Sequence, residues 1–68
     1  MSNETRQKVV DENYRAFRAL LPSILPLYRD QFALMRDGKI INYYSNMQDA
    51  ATTGEQFFSD GRYSIQKV

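Results

Sequence analysis

The sequence contains neither cysteine nor histidine. Without cysteine there is no disulfide framework and no thiolate to act as nucleophile or metal ligand. Without histidine the chain lacks the commonest zinc ligand, the usual general base and a charge switch near neutral pH. Its three glycines stand apart at Gly38, Gly54 and Gly61, so no glycine-rich phosphate loop exists. The longest unbroken apolar run, Phe32 to Met35, is far too short to cross a bilayer. Nor does a secretory leader's apolar core follow residues 1–6. A soluble cytoplasmic protein is the expectation. Charge of one sign is missing too: nine Lys and Arg oppose eight Asp and Glu, leaving +1. That balance argues against binding DNA or an anionic membrane through bulk electrostatics.

What is present suits one small domain of 68 residues, with 43% apolar and 25% charged side chains. Five Tyr and four Phe can fill a small core. A chain this short buries only about 60% of its unfolded surface, so docking against another protein or a second copy would help it.

Residues 4–21 read as a helix, with Val10, Tyr14, Phe17 and Leu21 on one stripe. Ser2 or Asn3 could cap its start. Pro22 disfavours helical conformation at Leu21 and suits the first turn of a new helix. The expectation is a bend followed by a short helix over 22–28, which delivers Leu25 and Leu27 to the core.

Residues 31–44 form the clearest signal. Two β-rich runs flank Asp37-Gly38, a pair that favours a type I′ hairpin because both residues tolerate positive φ. An uninterrupted register pairs Met35 with Ile40, Leu34 with Ile41 and Phe32 with Tyr43. One face then carries Phe32, Leu34, Ile41 and Tyr43, and the other Ala33, Met35, Ile40 and Tyr44. Both faces are apolar, so each needs a cover.

A helix over 46–58 follows, with Ser45 and Asn46 both good N-cap residues, Ser45 and Gln48 spaced as a capping box, and a stripe of Met47, Ala50, Ala51, Gly54, Phe57 and Phe58. Gly54 weakens a helix by roughly 1 kcal/mol relative to Ala, which implies close packing there. Gly61 suits the turn that ends it, and residues 62–68 alternate as a third strand. The expected fold is α+β: a three-stranded sheet with the first strand central, the 46–58 helix on one face and the N-terminal helix, or a partner, on the other.

Residues 32–68 resemble a widespread group of short bacterial proteins of uncharacterised function. The likeness rests on an Ala33-Leu34-x-x-Asp37-Gly38 hairpin and on the ending Phe58-x-Asp60-Gly61-x-Tyr63-Ser64-Ile65-Gln66-x-Val68. Many members carry Trp where Phe32 stands, and the N-terminal helix lies outside the likeness. The resemblance implies a bacterial or phage origin and a hairpin–helix–strand layout; it assigns no site.

No catalytic constellation emerges. The serines have no histidine partner, and Ser45 and Ser59 sit at helix ends where capping explains them. Asp37 and Asp60 each precede a turn glycine, and the carboxylates lack calcium-loop spacing. Neither enzyme activity, a metal nor any cofactor is expected. The candidate partner-binding residues are Arg36, Lys39 and Arg62, expected to gather at one basic rim of the sheet with Tyr63 close by, and Tyr43 and Tyr44, which are adjacent on a strand and so face opposite sides of it. The reading is a protein–protein interaction or accessory module, acting on an unknown partner or as a homodimer. A nucleic-acid-binding or phage-encoded inhibitory protein using the basic rim is the alternative, disfavoured by the balanced charge.

Overall fold

The computed structural model describes residues 3–68. Its elements run α1 (Asn3–Tyr28), β1 (Phe32–Arg36), β2 (Lys39–Tyr44), α2 (Met47–Phe57) and β3 (Ser64–Lys67). The fold is α+β, as expected. Its three-stranded sheet is antiparallel throughout, in the order β2-β1-β3. The apolar strand β1 is central: Ala33, Leu34 and Met35 are fully buried.

The N-terminal helix corrects the expectation of a break. It runs unbroken through Pro22 and Pro26. A proline inside a helix costs one hydrogen bond and a steric clash, about 3 kcal/mol. Both prolines lie on the solvent side, while Ile24, Leu21 and Tyr28 pack onto the sheet. Anchored burial on both sides of each proline outweighs the local penalty. Ser2 lies outside the described residues. The helix stripe also sits differently from the sequence pattern. Asn13, Phe17 and Ile24 are buried, whereas Tyr14 is 47% and Leu27 72% exposed. A polar residue takes the position assigned to an aromatic because the sheet offers it hydrogen-bond partners.

The hairpin turn is as expected, with Asp37 at φ 53° and Gly38 at φ 74°. The register beyond it is not. Arg36 pairs with Lys39 and Met35 with Ile40, but Leu34 pairs with Asn42, Ala33 with Tyr43 and Phe32 with Tyr44. Ile41 is the extra residue of a β-bulge. The shift exchanges the two tyrosines between faces. Tyr43 joins Ala33, Met35 and Ile40 under α1, and Tyr44 joins Leu34 under α2.

The second helix starts one residue later than the expected capping box. Asn46 is the N-cap: its Oδ1 accepts the Asp49 N–H at 2.8 Å, and its Nδ2 donates to the Asp49 carboxylate at 3.1 Å. Ala50 and Gly54 are buried, but Met47 and Phe57 at the stripe's ends are 49% and 73% exposed. Each apolar sheet face therefore has an internal cover. α2, only 11 residues long, leaves part of its side open.

Candidate interaction surfaces

Arg36 pairs with Lys39 across the ladder and its Nη1 donates to the Arg62 carbonyl at 3.4 Å, but the Arg36 charge is already satisfied. Arg36 Nη1 and Nη2 donate to Asp60 Oδ1 and Oδ2, both at 2.9 Å, in a bidentate pair. The same guanidinium lies 4.6 Å from the Phe58 ring centroid and 3.8 Å from the Asp37 carboxylate. The Arg36 hydrogen bonds, joined by the Arg62 N–H at 3.0 Å, hold the Asp60 carboxyl well below the usual carboxylate range. In return, Asp60 raises the Arg36 pKa. Lys39 and Arg62 are exposed, whereas Arg36 acts as a clasp between β1 and the loop before β3.

The two tyrosines have separate settings. Tyr43 stacks on Tyr28 with ring centroids 3.7 Å apart and planes 3° from parallel. Burial pushes its phenol up from the ordinary value. It is a packing residue on the α1 side. Tyr44, half-buried, lines a groove between α2 and strand β2.

That groove was missed by the sequence pattern because it depends on the bulge. It measures about 330 Å³ and is lined by Leu34, Ile41, Asn42, Tyr44, Thr53, Phe57 and Phe58, none of them charged. In a regular strand Ile41 and Asn42 would point to opposite faces; the bulge turns both toward α2. Ile41 remains 50% exposed and Phe57 73%. The sequence signal for it was the apolar face that carries Leu34 and Ile41, set against a helix stripe ending in Phe57 and Phe58.

Among the described residues no group of three or more acidic side chains is placed to hold a metal ion. Likewise, no helix is long and apolar enough to cross a membrane. Comparison of the chain with protein-family models, with curated proteins and with solved structures gives no match.

Proposed function

We propose that the chain is a non-catalytic interaction module that associates with a second copy of itself through the groove between α2 and β2. The carrying observation is Phe57, a large apolar side chain 73% exposed beside an uncharged groove. A projecting side chain next to a cleft of the same chemistry can complement its own copy. Under a two-fold axis, Phe57 of each molecule enters the groove of the other and both patches leave water together. The lack of charge among the lining residues removes like-charge repulsion across such an axis. A 68-residue chain also gains relatively more from added burial than a larger one does.

A cytoplasmic setting belongs to the same reading and is supported by the cysteine-free sequence. Nucleic-acid binding through the basic rim is the weaker alternative, because Arg36 already engages Asp60 with both terminal nitrogens.

Sedimentation or light scattering over a range of concentrations tests this function. A dimer mass is expected at high concentration, and a monomer mass for Phe57→Glu and Ile41→Glu with circular dichroism unchanged. A wild-type monomer at every soluble concentration would overturn it.

A further inference from the structure

The two edges of the sheet are not equivalent. On β2 the ladder is interrupted by the Ile41 bulge, and the Tyr43 N–H is taken locally by Asn42 Oδ1 at 2.8 Å. Bulges and local capping of this kind blunt an edge against pairing with another chain. On β3 the pairing with β1 is regular from Ser64 to Lys67. Val68 donates its N–H to the Gln31 carbonyl at 2.8 Å. Alternation along an antiparallel ladder therefore points the main-chain groups of Ser64, Gln66 and Val68 at β1 and those of Ile65 and Lys67 outward.

This regular edge lies in a groove. Arg6 and Val10 of α1, Ala51 of α2 and Tyr63 to Gln66 line a depression of about 440 Å³. Since the two helices cover opposite faces of the sheet, a depression bounded by both runs across the β3 edge. Its walls are apolar at Val10, Ala51 and Ile65, and Arg6 is the one charged residue lining it. Arg62, two residues before β3, and Lys67, its last residue, are both exposed.

We propose that the β3 edge is a second docking site, one that takes an extended acidic peptide segment as a fourth strand. The outward N–H and C=O groups of Ile65 and Lys67 supply main-chain pairing, and the helix walls accept alternate apolar side chains. Arg6 pairs with a carboxylate on the incoming segment, and Arg62 and Lys67 favour the same sign of charge. The site is separate from the α2–β2 groove and does not depend on self-association there.

The probe is a fluorescent peptide of alternating valine and glutamate residues, measured by anisotropy against the full chain. Saturable binding is expected, with amide shifts centred on Ile65 and Lys67. N-methylation of alternate probe amides should abolish binding in one phase of the alternation and spare it in the other. Arg6→Glu should weaken the glutamate peptide several-fold and favour its lysine counterpart. Absence of binding at low salt, or binding indifferent to N-methylation in both phases, would overturn the proposal. So would a dimer that survives Phe57→Glu and Ile41→Glu but is lost on Lys67→Pro, because a second copy would then occupy the edge. Peptide binding by a chain that stays monomeric would support the edge site while removing the dimer reading.

Discussion

Asn13 and Ser64 lie 51 positions apart and are joined by a 2.8 Å hydrogen bond from Asn13 Nδ2 to Ser64 Oγ, with both residues buried. The same amide group donates to the Met35 carbonyl at 3.4 Å, and its Oδ1 accepts the Gly38 N–H at 2.8 Å. One side chain thus pins α1 to the hairpin turn, to β1 and to β3. No buried side-chain nitrogen or oxygen among the described residues lacks a partner. Asn13→Ala should destabilise the fold by roughly 2–3 kcal/mol, because it leaves buried polar groups unpaired rather than merely removing bonds. Ser64→Ala should cost about 1 kcal/mol. In a chemical-denaturation cycle the two substitutions should be non-additive; strict additivity would show that the bond contributes nothing.

Gly54 illustrates a second dependence. A Cβ at this position would lie 2.6–2.9 Å from three ring carbons of Tyr63. Gly54→Ala ordinarily favours a helix by about 1 kcal/mol. Here it should destabilise by about 1–3 kcal/mol, since the Tyr63 ring must move out of its packing. In a Tyr63→Ala background the same substitution should become stabilising. A gain in thermal midpoint for Gly54→Ala alone would contradict the close approach.

The stack of Tyr28 on Tyr43 reads out the β-bulge. With an unbroken register Tyr43 would face α2 and could not touch Tyr28 on α1. The observed pairing places the rings in contact. A double-mutant cycle with Tyr28→Ala and Tyr43→Ala should give a coupling of about 0.5–1.5 kcal/mol. Burial also raises the Tyr43 pKa. That contribution is present below the unfolded tyrosine value, about 10, and is lost as pH rises through the folded one. Zero coupling between the rings would argue for the regular register.

The order of strands was legible because the pattern from Phe32 to Met35 is apolar on both faces, which only a central strand needs. The Asp37-Gly38 turn was legible from its tolerance of positive φ. The unbroken α1 was not, because a proline penalty is local while the anchoring of Ile24 and Tyr28 is tertiary. The bulge at Ile41 was not legible either: a run of Ile-Ile-Asn-Tyr-Tyr satisfies two registers equally well, and only packing against two helices chooses between them. Asn13 escaped notice because helical periodicity weighs apolar residues and passes over a buried amide. The groove at Ile41, Tyr44 and Phe57 inherits all of these, since it exists only once the register and the length of α2 are fixed. The segment Asp60-Gly61-x-Tyr63-Ser64 has a structural explanation at each named position: a clasp for Arg36, a turn at φ 73°, a ring against Gly54 and a partner for Asn13.

Acid stability should depend on Asp60. Its carboxylate receives two hydrogen bonds from Arg36 and one from the Arg62 N–H, so its folded pKa lies below the unfolded one. A depressed carboxyl pKa stabilises the fold fully above the unfolded value, about 4, and the contribution disappears as pH falls toward the folded value. Asp60 is 46% exposed, so salt screens the pair and its effect should shrink at high ionic strength. Asp60→Asn keeps the side chain's shape and one acceptor but removes the charge. The stability difference between wild type and Asp60→Asn should therefore be constant above about pH 5 and narrow steadily below about pH 4. Arg36→Lys should also lose stability, because an ammonium cannot reproduce the bidentate contact that the guanidinium makes while sitting over Phe58. Denaturation curves across pH for the three proteins test this directly. A pH-independent difference between wild type and Asp60→Asn would mean that the clasp acts through shape alone, and its charge could then be removed without consequence.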